Sequence, residues 1–414
     1  MRSVRFVHAA DLHLDSPFRG VDASDARVRS ALVASTFEAL DRIVALCLGE
    51  AVDFLVIAGD VYNSRDKSTA AQFRFQSAME RLAGAGIPVF IAQGNHDPAD
   101  GWSAGLRLPE TVRYFSTREV EALPFVRDGE TVCTLYGRGY EHAAEKRDLS
   151  AGYRRAAGDA IAIGVLHTNV GSRADFEDYA PASMDALRAA QMDYWALGHI
   201  HKPEVLSDAP AIVYAGSPQG LNPKEDGLRG CFLVEASPGS ASVRFVPTCS
   251  VVWSRTSVDV SECVGLDDVR EALRTICAGV RAGADGRPAI VRIDLTGRSE
   301  VHGLLVRGTV MADLLRDLRD EQLAREPWVW VDRVADRTSA SLDIDAYRGS
   351  EDFTGDLVRL VDELMTDQAA AALLAEVLGP IEALVGAQEL EATPLELLLR
   401  ARDVCLDRLE GDAR

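Results

Sequence analysis

The sequence predicts a layered α/β protein with an appended α/β unit and a helical C-terminus, and three observations predict it. Short apolar runs bounded by glycine or polar residues recur through residues 1–250, as buried strands do. Stretches with apolar residues at helical spacing fall between those runs. From residue 337 onward only the helical spacing continues, now in an acidic background.

Taken in order, Val4 to Ala9 reads as a first strand, and Val33, Phe37, Leu40, Val44 and Cys47 mark a helix after it. A strand over Asp53 to Ala58 follows, then a helix carrying Phe73, Met79 and Leu82, then a strand over Pro88 to Ala92. Further strands are expected at Ala160 to Leu166, Tyr194 to Leu197 and Ala211 to Ala215, the last running into a turn at Gly216-Ser217-Pro218-Gln219-Gly220. Gly230 to Val234 and Ser242 to Pro247 read as a closing antiparallel pair. Residues 251–336 then alternate strand (Ser257 to Val260), helix (Leu266 to Cys277), strand (Ala289 to Leu295), helix (Val310 to Leu323) and strand (Trp328 to Val334), with Pro288 and Pro327 expected to stop the helices. In residues 337–414 one apolar stripe is Leu357, Leu360, Val361 and Leu364. Another is Leu395, Leu398, Leu399, Arg402, Cys405 and Leu409, with Gly379-Pro380 as a break between them.

At 414 residues the chain is long enough for two or three domains. It has no uninterrupted apolar stretch of membrane-spanning length and no signal-peptide core at its start, so a cytoplasmic protein without a membrane association is expected. The seven cysteines form no C-x-x-C pair, which points away from a disulfide framework or a zinc knuckle. The net charge of −20 argues superficially against nucleic acid. It is uneven, however: residues 336–414 carry 18 acidic against 7 basic side chains, a net −11. Phosphate contact needs local positive charge, which arginines around a site can supply.

Five short blocks carry the chemistry: Asp11-Leu12-His13, Gly59-Asp60, Gly94-Asn95-His96-Asp97, His167 and Gly198-His199-Ile200-His201. Each stands at the end of an apolar strand-like run, where functional groups collect. Five of the eight histidines fall in these blocks. Oxygen from Asp and Asn with nitrogen from His, and no thiolate, suits Mn, Fe or Zn. In Asp11-x-His13 and His199-x-His201 the i, i+2 spacing turns both side chains to one face of an extended segment. His8 reads as a buried, hydrogen-bonded histidine, while His142 and His302 belong to no pattern and read as solvated.

The ordered set D-x-H, GD, GNH, H and GHxH resembles the calcineurin-like metallophosphoesterase superfamily. More narrowly, the stretch from Phe6 to Phe18 resembles the SbcD-type DNA repair exonucleases, nearest to their YhaO branch. Asp178-Tyr179-Ala180-Pro181 and Asp193 to Lys202 are similar to that branch too. The resemblance implies a β-sandwich core flanked by helices, a capping domain over residues 251–336 and, over residues 337–414, a partner-docking element. It also implies two divalent ions, Mn first among Fe, Zn and Mg. One would be held by Asp11, His13 and His201, the other by Asn95, His167 and His199, with Asp60 bridging. Two such cations roughly 3.5–4 Å apart can share a hydroxide and clamp the attacking and leaving oxygens of an in-line attack on phosphorus. His96 would stabilise the transition state or protonate the leaving oxygen, and Asp97 would orient its loop. Asn63 departs from the Asp or His that many relatives carry; an amide orients an imidazole but does not stabilise an imidazolium as a carboxylate does.

The implied partners are DNA, an SbcC-like coiled-coil ATPase and a second copy of the chain, and the implied activity is a DNA exonuclease or endonuclease. Two rivals remain. A phosphoesterase on a small diester, a cyclic nucleotide or a phosphoprotein would use the same centre. A weakly active DNA-binding component of an ATPase complex would need little of it.

Overall fold

A computed structural model describes residues 3–18, 20–21, 24–171, 179–341, 344–366, 376 and 394–411. Two compact units divide the chain: residues 1–255, 280–290 and 326–332 form the first, and residues 256–279, 291–325 and 333–414 the second. The Gly379-Pro380 break and Asp178 lie outside the described residues.

The first unit is built on strands β1 (Val4–Ala9), β2 (Phe54–Ala58), β3 (Val89–Ala92), β4 (Val112–Tyr114), β5 (Glu121–Arg127), β6 (Glu130–Arg138), β7 (Ala162–His167), β8 (Tyr194–Gly198), β9 (Glu204–Asp208), β10 (Ala211–Tyr214), β11 (Gly230–Ser237) and β12 (Ser240–Pro247). They make two six-stranded sheets, in the orders β12-β11-β1-β2-β3-β4 and β5-β6-β7-β8-β10-β9. Alternate side chains show how these are layered. Phe6, Phe54 and Val56 of one sheet share a core with Leu135, Ile163, Val165 and Tyr194 of the other. Val7, Ala9, Leu55 and Ile57 point the opposite way and pack under helices α1 (Ala26–Gly49) and α2 (Thr69–Gly84). Both faces of β2 and nearly all of β1 are therefore buried, which is why β2 reads as a continuous apolar run and β1 as one broken only by Arg5 and His8. The result is a β-sandwich with helices outside, the layered α/β arrangement that the sequence predicts in the form that the resemblance implies.

Helix starts follow from capping. Asp25 accepts hydrogen bonds from the backbone of Arg27 and Val28, and Ser68 from that of Ala71. The expected closing pair is present, with β11 antiparallel to β12. Strands β1, β2 and β3 run parallel, as do β7 and β8, so within each group the C-terminal ends lie on one edge. Side chains in the loops after those ends are gathered there.

A third sheet takes β13 (Val252–Asp259), β14 (Ala289–Thr296) and β16 (Val329–Asp336) in that order, each strand straddling the division between the units. A two-stranded sheet pairs β15 (Arg298–Ser299) with β17 (Ser339–Ala340). Helix α3 (Met184–Ala189) belongs to the first unit; the second holds α4 (Leu266–Gly283), α5 (His302–Leu305), α6 (Val310–Leu323) and α7 (Ile344–Gly349), of which α4 and α6 lie where the periodicity predicts. They end several residues before Pro288 and Pro327, so the prolines mark the following strands rather than stopping the helices. Of the predicted stripe in α8 (Phe353–Thr366), Val361 is buried and Leu360 is 53% exposed; the inward face is completed by Val358. In the last helix, α9 (Pro394–Gly411), Arg402, Asp403 and Leu406 are buried, while Cys405 and Leu409 are exposed. No described helix is long and apolar enough to cross a membrane.

Candidate metal centre

The loops after β1, β2, β3, β7 and β8 bring the five sequence blocks together. Asp11, His13, Asp60 and His199 all sit at positive φ, between 41° and 98°, in the left-handed region that side chains rarely adopt. Such conformations persist only where surrounding bonds over-determine them. Asp11 accepts from the backbone N–H of His199 at 3.0 Å, Asp60 accepts from that of His96 at 2.8 Å, and the N–H of His13 donates to the Asp60 carbonyl at 3.0 Å. Asp97 is buried and accepts three backbone N–H groups, from Asp60 (3.1 Å), Gly94 (2.8 Å) and Val61 (2.8 Å), clamping two of the loops together.

Two glycines are required by close approach. A Cβ on Gly59, whose φ is 95°, would stand 2.3 Å from His167 Nδ1, and one on Gly198 would stand 1.9 Å from the Ala58 carbonyl oxygen.

The polar atoms face one another across the centre. His13 Nε2 and His201 Nε2 are 3.2 Å apart. Asp60 Oδ2 lies 3.8 Å from His13 Nε2 and 3.4 Å from His167 Nε2. Asn95 Oδ1 lies 2.9 Å from His167 Nε2 and 3.3 Å from His199 Nδ1. Asp11, His13 and His201 form one cluster of metal-ligand spacing, and Asp11, Asp60 and His167 another. The Nδ1–H of His167 donates to the Ala58 carbonyl at 2.9 Å, so a neutral His167 turns the lone pair of Nε2 on the oxygens of Asn95 and Asp60. Buried acceptors this close repel unless a proton or a cation stands between them. The donor set of carboxylate, amide oxygen and imidazole fits divalent cations.

Without cations the buried groups shift one another strongly. Burial raises the pKa of Asp11 to about 6, and burial raises that of Asp97 to about 7. Burial lowers that of His13 to about 3. Burial works against the imidazolium of His167 as well, yet the Asp60 carboxylate raises its pKa to about 9. Asp60 is pushed the other way: burial alone would raise it, but His167 and His13 take it well below the carboxylate range.

His96 is in ring contact with His13 at 4.9 Å between centroids and belongs to neither cluster. Burial lowers its pKa, and Asn63 Oδ1 lies 3.5 Å from its Nδ1, the outer limit of hydrogen bonding. His8 is fully buried and bonded to the Tyr194 hydroxyl at 2.9 Å, as expected. His142 is exposed but paired with Asp100, and His302 is half-buried and bonded to Thr338; solvation does not describe either fully, because each has a polar neighbour from a distant part of the chain.

Two residues that sequence reasoning missed stand behind His201. Glu225 Oε1 accepts from His201 Nδ1–H at 2.8 Å, and Arg229 donates to the His201 carbonyl at 2.5 Å. Their only signal was a place just beyond the Gly216–Gly220 turn, whose Ser217 N–H donates to the same carbonyl at 2.9 Å.

Residues 4–203 match the family model of the calcineurin-like phosphoesterases. The chain belongs to this family of metallophosphoesterases. More particularly, residues 253–339 match the model of the middle domain of metallophosphoesterase YhaO. The chain is 33% identical to the protein of Bacillus subtilis named uncharacterized metallophosphoesterase YhaO, over 82% of this chain and 83% of that one. It is 26% identical to the DNA double-strand break repair protein Mre11 of Haloferax volcanii, over 72% of this chain and 62% of that one. It is 25% identical to the D subunit of nuclease SbcCD from Bacillus subtilis, over 57% of this chain and 67% of that one.

Proposed function

We propose that this metallophosphoesterase is a dinuclear phosphodiesterase that cleaves DNA. The observation that carries the reading is the set of facing acceptors around Asp60, whose Oδ2 lies within 3.8 Å of His13 and 3.4 Å of His167. Asp11, His13 and His201 would hold one ion and Asn95, His167 and His199 the other, with Asp60 shared. Mn is the proposed metal. A bound pair supplies Lewis-acid polarisation of the phosphoryl oxygens and a nucleophilic water at neutral pH.

The chain's own residues do the remainder. Asp60 and Asp11 are fixed by backbone N–H groups, so their carboxylates hold position before substrate arrives. His96, anchored through its N–H to Asp60, gives a proton to the leaving oxygen. Burial lowers its pKa, which makes its imidazolium the stronger acid and the readier donor. Arg65 lies close enough to lower the His96 pKa further and offers positive charge to a phosphate.

DNA as substrate is supported by the similarity to Mre11 and to the SbcCD component, the second of which is by name part of a nuclease. On the SbcD-type resemblance, residues 251–336 would cap the substrate and residues 337–414 would dock on an SbcC-like ATPase. Phe353, Leu360 and Met365 of α8 and Leu395, Val404 and Leu409 of α9 are exposed apolar residues available for that contact. The test is a cleavage assay on linear and hairpin DNA with Mn added after chelation, run beside a small chromogenic diester. Mn-dependent DNA cleavage is the expected result. Hydrolysis of the diester with DNA left intact would assign a small substrate instead, and no hydrolysis of either would leave a binding role.

A further inference from the structure

Two histidines of the centre are backed in chemically different ways. His167 Nδ1–H donates to a neutral backbone carbonyl, that of Ala58. His201 Nδ1–H donates to the carboxylate of Glu225, which is buried to 8% exposure. That carboxylate is itself held firmly: Oε1 also accepts from Asn222 Nδ2 at 2.7 Å, and Oε2 accepts from the Leu221 N–H at 2.8 Å. Arg229, 4% exposed, donates Nη1 to the His201 carbonyl and Nη2 to the Asp226 carbonyl at 3.1 Å, which fixes the backbone on both sides of the pair.

A carboxylate accepting from one ring nitrogen fixes the tautomer, makes the other nitrogen a better donor and orients the ring. Here that other nitrogen is His201 Nε2, which faces His13 Nε2 at 3.2 Å. The two halves of the centre consequently differ in negative charge. Asp11 lies at ligand spacing in both clusters and Asp97 spends its carboxylate on three backbone N–H groups, so the charge that tells the halves apart is Glu225: it backs His201, whereas the neutral Ala58 carbonyl backs His167 and the neutral amide of Asn95 faces His167 and His199. Asp60 is common to both. Cation affinity rises with ligand charge and with the rigidity of the site.

We infer that Glu225 is a positioning residue that aims and strengthens His201, so that the Asp11/His13/His201 half binds its cation more tightly and loads first. This rests on the dinuclear reading of the centre.

The experiment titrates Mn into metal-free full-length protein by calorimetry, with elemental analysis after dialysis. Wild type should take up two equivalents in two unequal steps. Glu225→Ala should weaken the tighter step about ten- to hundred-fold and leave the weaker one in place. Glu225→Gln keeps an acceptor for Nδ1–H without the charge and should recover part of the loss. It also decides the matter if the alanine variant fails to fold. The Mn concentration giving half-maximal diester hydrolysis should rise by the same factor, with kcat restored at saturating Mn. Two equivalents in wild type with unchanged affinities in both variants would overturn the role of Glu225 and leave the dinuclear reading standing. A kcat that excess Mn does not restore would overturn it as well, by making Glu225 a plain structural residue. No uptake by wild type would overturn both readings together.

Discussion

The loops that end β1, β2, β3 and β8 and the helices that end the second unit use buried polar groups in opposite ways. In the loops, the carboxylates of Asp11, Asp60 and Asp97 accept backbone N–H groups, so main-chain conformation dictates where each functional atom stands. In α9 the buried Asp403 accepts instead from side chains, Arg298 at 2.7 Å, Arg402 at 3.0 and 2.9 Å and Ser339 at 3.1 Å. One arrangement fixes the candidate metal centre; the other fixes a helix against β15 and β17. The difference teaches that substitutions in the first region should remove function from a folded protein, whereas substitutions in the second should cost stability and leave the chemistry alone.

The largest effect that could break this contrast is at Asp60. Asp60→Ala should take diester hydrolysis below detection and abolish stoichiometric metal retention while the far-ultraviolet circular dichroism stays that of wild type. An unfolded variant would show that the centre is part of the core after all. His96→Ala should lower kcat by roughly 10²–10⁴ with both metals retained, measured by steady-state kinetics beside elemental analysis. Metal loss in that variant would make His96 a ligand.

On the other side of the comparison, Asp403→Ala should destabilise by on the order of 3 kcal/mol, because Arg402 and Arg298 are left without their buried carboxylate. Denaturant unfolding reads the loss, and diester activity below the transition should be unchanged. His8 sharpens the picture from inside the sandwich. Burial lowers its pKa to about 3, so between pH 6.5 and 3 the unfolded chain binds a proton that the native state refuses. Above pH 6.5 both states are neutral and the native state keeps its full stability; below it stability is lost as the pH falls, by up to about 1.4 kcal/mol per unit. In His8→Gln this part of the acid slope should vanish from denaturation curves taken between pH 7 and 5; an unaltered slope would place the acid sensitivity elsewhere. Smallest is Leu360→Ser, at a side chain 53% exposed, which should move stability by less than about 0.5 kcal/mol. A larger change would mean that Leu360 belongs to the core.

The first region was far more legible in the sequence than the second, and the reason is physical. Phe54 to Ala58 is buried on both faces and Val4 to Ala9 nearly so, so the chain had to spell them as largely apolar runs, and the polar residues that follow such runs stand out. Strand β5 gave no such signal: Glu121–Arg127 is a sheet edge, mostly solvated and carrying Pro124. Glu225 was invisible because its partner His201 is 24 residues away and no periodic spacing joins a turn carboxylate to a loop histidine. In α8 the sequence offered neighbouring apolar residues that could not all face inward. Packing chose Val358 and Val361 and left Leu360 to solvent, a choice set by the rest of the second unit rather than by the helix itself.

The close approaches at Gly59 and Gly198 have a consequence for anyone redesigning this scaffold. A library aimed at a new phosphoester gains nothing from varying either position, since even a methyl group at Gly198 would stand 1.9 Å from the Ala58 carbonyl oxygen and one at Gly59 would strike His167. Diversity belongs at half-buried positions beside the centre, such as Asn63, where a side chain can be exchanged without moving main chain. Laboratory evolution from this starting point should therefore retune substrate preference through the rim of the site while its floor is inherited unaltered.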